Sequence, residues 1–404
     1  MGSKKVVAII LCIILIIVSV NLGIYIINEY YIDSDINYHE NQAIEQGHEL
    51  GSHGARHVKT KDFSYDEALT WTKESLALIE DNTKSTSRWG TTCLSIAYPY
   101  SSPNKNVMKA AYDTGFRIAG NCFFDSICGL IINETSAPED EMDWMNIARL
   151  GGKVTEGEAH ISDLHKAEQN GSWADCMFHQ NDKLDSESLK YIDSNNNVWY
   201  ATWGEVRSYY YIVDHTTVYF NSQNSNDTKM VFELDYTGSD PKIWDVPITL
   251  EFDLEQFNFD NLSVKYRSNN SHYQHVENIS NDQRMEEGYK YDPETKVLYV
   301  SIKPKNKSIT IIGNILSDGR ESDMFMGFSR WWNGLTWVVT IHVDDVRDVS
   351  EVLINYQDHK QPLTLMIMGM KWDMAVLYII TIISIFIMIP LIVVLIREFR
   401  KNKG

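Results

Sequence analysis

Hydrophobic positions fall into three regimes along the chain. Two runs are apolar almost throughout, Val6 to Ile27 and Met374 to Ile396, about 22 and 23 residues long. Each is long enough to cross roughly 30 Å of hydrocarbon, so the sequence predicts two transmembrane helices, over 6–28 and 374–396. From 36 to 213 short apolar strands alternate with amphipathic helices, among them Phe63 to Asp81, whose apolar residues recur at the helical period. From 214 to 313 the period changes to two, in runs such as Lys229-Met230-Val231-Phe232-Glu233-Leu234 and Val297-Leu298-Tyr299-Val300-Ser301-Ile302, and a β-sandwich is expected. Within 330–370, Trp337-Val338-Val339-Thr340-Ile341-His342-Val343 reads as a buried strand running into Asp344 and Asp345. A helix over Ser350 to Tyr356, capped by the serine, and a strand over Pro362 to Met368 would complete a βαβ unit.

Charge orients the apolar runs. Lys4 and Lys5 precede the first, and Arg397, Arg400, Lys401 and Lys403 follow the second, which by the positive-inside rule puts both termini in the cytoplasm and the middle outside. A cleaved signal peptide is the alternative for the first run, but its apolar stretch is longer than a usual h-region and no small-x-small site ends it. The net charge of -19 leaves about -24 between the runs, which argues against nucleic acid as a partner. Asn-x-Ser/Thr triplets at Asn133, Asn170, Asn226, Asn261, Asn269, Asn278 and Asn306 all fall in that external part. Of the five cysteines, Cys12 lies in the first run, while Cys93, Cys122, Cys128 and Cys176 lie outside and permit disulfides in three pairings.

The candidate chemistry centres on Gly47-His48-Glu49-Leu50-Gly51-Ser52-His53-Gly54-Ala55-Arg56-His57. On a helical turn His53 and His57 would share one face and could present ring nitrogens to a single divalent ion, zinc first among them. The words around the pair resemble the histidine motif of the polysaccharide deacetylases, the NodB-homology family also known as carbohydrate esterase family 4. Downstream, Ser95-Ile96-Ala97-Tyr98-Pro99-Tyr100 and Ala110-Ala111-Tyr112-Asp113-Thr114-Gly115-Phe116 are similar to that family's Pro-Tyr groove wall and following helix end. Trp173 to His179 resembles the late strand that ends in a catalytic histidine, and Asn197 to Val206 the closing segment. The family opens on a strand ending in paired aspartates ahead of the histidines. Here the nearest match, Asp344-Asp345, stands at the far end of the chain, which implies a circular permutation with both membrane runs at the cut.

The resemblance implies an α/β fold, a distorted (β/α) barrel of NodB type whose main part spans 36–213. Its first βαβ lies at 330–370, and the β-sandwich at 214–313 is an insertion. It also implies hydrolysis of acetyl groups, typically N-acetyl, from a polysaccharide, which the two apolar runs would make extracellular and the enzyme membrane-anchored. Asp345, His53 and His57 would hold zinc, Asp344 would be the general base, and His179 the general acid. Tyr98, Pro99 and Tyr100 would border the oxyanion, and Arg149 could orient Asp344. Two positions depart from the family: Val346 stands where a glycine usually follows the aspartates, and Ala97 where many members carry an arginine that steers the base. Two other readings therefore stay open, a non-catalytic glycan-binding or structural relative, and a surface protein in which the Asp-Asp match is accidental. Trp144, in the Asp140-Glu141-Met142-Asp143-Trp144 word, reads as a core or groove-lining aromatic, and His48, His160 and His165 as surface or satisfied histidines rather than ligands.

Overall fold

The computed structural model describes residues 33–121, 140–148, 161–180, 187–255, 257–268, 274–275, 277–279, 284–305, 307–315, 324–359 and 361–368. Both apolar runs expected to span a membrane lie outside the described residues; among those described, no helix is long and apolar enough to cross one. The chain divides into two compact units, 40–368 and a second made of 1–39 with 369–404; of the second, only residues 33–39 are described, and they open helix α1 (Asp33–Glu45).

The first half of the larger unit alternates strand and helix. It runs β1 (Glu49–Ser52), α2 (Tyr65–Glu80), β2 (Ser95–Ala97), α3 (Lys105–Thr114), β3 (Ile118–Asn121), β4 (Ile147–Ala148), α4 (Ile161–Gln169), β5 (Trp173–His179), α5 (Glu187–Ser194), β6 (Val198–Ala201) and α6 (Trp203–Asp214). Local chemistry sets the helix ends. Ser64 and Glu67 form a capping box at the start of α2, as Thr202 and Glu205 do for α6, each pair satisfying orphan N–H groups reciprocally. Asn104 caps α3, and Gly115, at φ +133°, ends it.

A β-rich region follows: β7 (Thr216–Phe220), β8 (Lys229–Tyr236), β9 (Ile248–Asp253), β10 (Phe257–Ser268), β11 (Gln274–His275), β12 (Gly288–Asp292), β13 (Val297–Ile302), β14 (Lys307–Ile315) and β15 (Phe325–Phe328). These strands make two antiparallel sheets, ordered β11-β10-β14-β8-β7 and β12-β13-β9-β15. Phe232, Leu250, Phe252, Val264, Leu298, Val300, Ile309 and Ile311 cluster in a common core, the burial that period-two patterning predicts. The strand set runs past the expected boundary at 313, since β15 pairs with β9. A tryptophan-rich cluster joins this region to the α/β part: Trp244, Trp331 and Trp332 pack with Trp173, Trp199 and Trp203.

The chain then returns to the first sheet through β16 (Trp337–Val346), α7 (Val349–Asn355) and β17 (Leu363–Ile367). All pairings in this sheet are parallel, and its order is β4-β3-β2-β1-β17-β16-β5. Start-of-strand residues Trp337 to Thr340 of β16 also pair with β6, beside the stretch that pairs with β17. The last two strands therefore sit between β1 and β5, in a parallel half-barrel with helices on its faces. Parallel strands covered on both sides are buried along nearly their whole length, as β16 is. The cap of α7 is Asp348, which accepts from the N–H groups of Ser350 and Glu351, and not the serine expected from sequence, because the helix already starts at Val349 and Ser350 lies within its first turn. Cys93, just before β2, and Cys176, on β5, are buried free thiols and form no disulfide; Cys12, Cys122 and Cys128 lie outside the described residues.

Candidate metal centre

In open α/β sheets side chains for chemistry gather at the carboxyl ends of parallel strands. Here β1 ends before His53, β2 before Tyr98, β5 at His179 and β16 at Asp344 and Asp345. His53 and His57 do not lie on a helical turn as their spacing predicts. They occupy the loop after β1, because Gly54 at φ +87° turns the chain out of the strand. A Cβ on Gly54 would stand 2.1 Å from the Trp71 ring, and Trp71 Nε1 donates to Arg56 O at 3.2 Å. The loop is thus wrapped on one tryptophan of α2. Its start is pinned to the next strand by His53 N–H donating to Ile367 O at 2.8 Å.

The aspartates are aimed by a β-bulge. The register between β16 and β17 shifts between Val343 and Val346, and Asp345 takes φ +58°. The left-handed residue is therefore Asp345 itself, so Val346 needs no glycine; it continues the strand, is buried, and its carbonyl accepts from Met368 N at 3.0 Å. Gln180 fastens the bulge from β5. Its N–H donates to Asp344 O at 3.1 Å, its Oε1 accepts from Arg347 N at 2.6 Å and Asp348 N at 3.2 Å, and its Nε2 donates to Glu351 Oε2 at 2.5 Å.

These two constructions bring residues from opposite ends of the chain together. His53 Nε2 and His57 Nε2 each stand 3.3 Å from Asp345 Oδ1, and one ligand atom from each of the three residues lies within 4.8 Å of the others. Two ligand atoms each about 2.1 Å from one ion at a tetrahedral angle would be roughly 3.4 Å apart. Asp345 Oδ1, which both Nε2 atoms face, is buried with no hydrogen-bond partner, which is costly for a polar atom unless another group meets it. Two imidazoles and one carboxylate are a donor set suited to zinc, so the residues fit a divalent ion. Burial first, and the positive neighbours after it, outweigh the pull of Asp345 and lower the His57 pKa, which favours the neutral ligand form. Contact with His53, then the charge either ring can carry, holds the Asp345 carboxyl below the ordinary carboxylate range.

Asp344 is buried, with its Oδ1 3.8 Å from His53 Nδ1. His179 is the register partner of Asp344 on β5, at the same level of the sheet. Tyr98 is buried and its hydroxyl donates to Met145 O at 3.4 Å; Pro99 is buried too. Tyr100, 56% exposed and at φ +57°, puts its ring 4.4 Å from that of His57 and is the one side chain of the three open to solvent beside the histidines. Arg149 and His160 lie outside the described residues. Trp144 is core, beneath the Arg207 guanidinium, which pairs with Glu141. His48 accepts from Leu363 N at 2.8 Å, and burial, with Arg284 adding to it, lowers its pKa to about 4. His165 packs its ring 4.6 Å from Tyr191.

Sequence reasoning passed over Gln180 and over the buried pair of His342 and Asp175, which stand 3.0 Å apart at Nδ1 and Oδ1. One signal was available for His342: Thr340, His342 and Asp344 interrupt an apolar strand at every second position, so they share a face. Comparison with curated proteins and with solved structures gives no match. Residues 24–119, which carry His53, His57 and the Tyr98–Tyr100 wall, match the model of the polysaccharide deacetylase family.

Proposed function

We propose that the protein is a metal-dependent carbohydrate deacetylase, with His53, His57 and Asp345 as ligands of a zinc-type ion. The observation that carries the reading is the meeting of Asp345 with two histidines nearly 300 positions away, on atoms 3.3 Å apart, where the family match supplies only the histidines. The family's substrates point to an acetylated polysaccharide, with N-acetyl the typical group. Bound at these three residues, the ion would supply Lewis-acid polarisation of the acetyl carbonyl and lower the proton affinity of a water. Asp344 takes the water's proton as its oxygen adds to the carbonyl carbon. His179 gives a proton to the amine nitrogen as the carbon–nitrogen bond breaks, leaving acetate and a free amino sugar. The backbone of 98–100 borders the carbonyl oxygen, and Tyr100 offers its exposed ring to the sugar.

The strand order supports reading the chain as a permuted barrel, with β16, α7 and β17 as the unit that family members place first. The apolar runs at 6–28 and 374–396 and their basic flanks support a protein anchored at the cell membrane by two spans, termini inside and the centre outside. Ala97, at the position of the family's arginine, favours the second reading, a glycan-binding relative without turnover. Acetate release from acetylated chito-oligosaccharides by the purified full chain separates the two: release in the parent and none in Asp344→Asn supports the enzyme, and metal binding without acetate release supports the binding protein.

A further inference from the structure

The loop that carries the histidines and the wall at 98–104 are joined along one seam. Thr60, fully buried, donates its N–H to Ser102 Oγ at 3.2 Å and its hydroxyl to Ser102 O at 3.1 Å. Asn104 Nδ2 donates to Lys61 O at 2.8 Å and to Phe63 O at 2.9 Å. With Thr60 turned into the fold, Lys59 and Lys61 on either side of it are exposed, and so is Lys105, next after Asn104. Lys59 Nζ stands 5.6 Å from the centre of the Tyr100 ring, which itself lies 4.4 Å from the His57 ring. Three ammonium groups thus follow the seam outward from the candidate metal centre.

The charge balance of these two segments is the reverse of the chain's. Acids outnumber bases 55 to 36 overall, yet Leu50 to Lys61 and Thr91 to Tyr112 contain no aspartate or glutamate. Other cations of the same segments are paired, Arg56 with Glu74 and Lys109 with Asp113, whereas no ion pair among the described residues takes up Lys59, Lys61 or Lys105. Asp66 and Glu67 line a separate groove, with Arg56, Val58 and Phe63. Surface lysines that serve only solubility are interspersed with acids. Unpaired ones gathered beside a site raise the local concentration of anions there and steer them in.

We propose that this seam is a binding track for an acidic glycan: the substrate is an acetylated amino-sugar polymer with an anionic group, carboxylate or phosphate, at intervals along its backbone. Lys59, Lys61 and Lys105 hold the anionic groups while an acetyl group lies at the metal centre. The proposal rests on the deacetylase reading and narrows its substrate. An ammonium on a flexible stem meets an anion as a point charge without a fixed fork, which suits a polymer that binds in several registers.

The test measures acetate release by the metal-loaded full chain from acetamido-sugar substrates of equal length: a neutral chito-oligosaccharide, one alternating with glucuronate, and one linked through phosphodiesters. Parent kcat/KM should be about tenfold or more higher on an acidic substrate than on the neutral one, and the preferred acid identifies the anion. That advantage should shrink as salt takes the Debye length from about 10 Å to about 3 Å. In the triple variant Lys59→Gln, Lys61→Gln, Lys105→Gln the ratio of acidic to neutral kcat/KM should fall about tenfold, as three exposed contacts each contributing a factor of about two would give. Equal kcat/KM on all three substrates, or an acidic preference that survives the triple substitution, would overturn the proposal. A parent that releases no acetate from any of them sinks the deacetylase reading, and the track is then judged by calorimetry with the glucuronate polymer. Salt-sensitive binding lost in the triple variant upholds the track, and no binding, or equal binding by both chains, overturns it. Binding of the parent to anionic phospholipid vesicles and to neither acidic polymer would make the seam a membrane contact and overturn it as well.

Discussion

Asp345 combines a strained backbone with a carboxylate proposed to hold the metal, and two substitutions separate them. At φ +58° an L-residue with a Cβ is disfavoured by about 1–2 kcal/mol, somewhat less for aspartate, whereas glycine is not. Both Asp345→Gly and Asp345→Ala remove the carboxylate and its buried unpartnered oxygen, so that contribution cancels between them. What remains is the Cβ in a left-handed turn. Glycine loses more backbone freedom on folding, which takes back part of the gain, and Asp345→Gly should be more stable than Asp345→Ala by about 1 kcal/mol. That is roughly a fivefold change in the folded-to-unfolded ratio. Urea unfolding followed by tryptophan fluorescence in the presence of chelator reads the difference without any contribution from metal. Equal stability of the two variants would refute the left-handed turn at 345 and with it the bulge that aims both aspartates.

Other substitutions probe the supports. Gly54→Ala combines a positive φ with a Cβ driven into the Trp71 ring; it should cost about 2 kcal/mol or more and weaken zinc binding, measured by unfolding and by metal titration. Gln180→Ala leaves two N–H groups at the end of β16 without their acceptor and should cost about 2 kcal/mol with at least a tenfold loss of zinc affinity. The His48 pKa is lowered from 6.5 to about 4, so below pH 6.5 the unfolded chain takes up a proton that the folded chain refuses. Its contribution is therefore absent at neutral pH and destabilises progressively from pH 6.5 down to about 4, by roughly 3 kcal/mol in all. Glu49, its pKa raised to about 7 by burial, acts in the opposite sense, so the difference between the parent and His48→Asn isolates the histidine; a difference flat with pH would refute the assignment.

How far the sequence was legible follows the range of the interactions. Signals written in consecutive residues were readable: the capped helix over 65–80, the βαβ at 337–367 and the two-residue period of β8, β9 and β13. The three residues that gather at the candidate centre, His53, His57 and Asp345, were readable because each sits in a local word. The shape of the histidine loop was not, since i, i+4 spacing fits a helix equally well and only the Gly54–Trp71 contact decides for a turn. Val346 misled in the same way, because which residue of a bulge carries positive φ depends on the neighbouring strand. Gln180, Asp175 and His342 act across β5 and β16, which are more than 150 positions apart, and nothing local marks the first two. The sandwich boundary at 313 fell short because β15 is recruited by pairing with β9, a contact that its own four residues do not announce.

The central claim is that one metal site is built from both ends of the chain, and bound zinc per chain in purified full-length protein tests it directly. The parent should hold about one zinc, while Asp345→Ala and His53→Ala should each hold little or none. Zinc retained at the parent's level by Asp345→Ala would contradict the account, leaving a histidine pair without its aspartate.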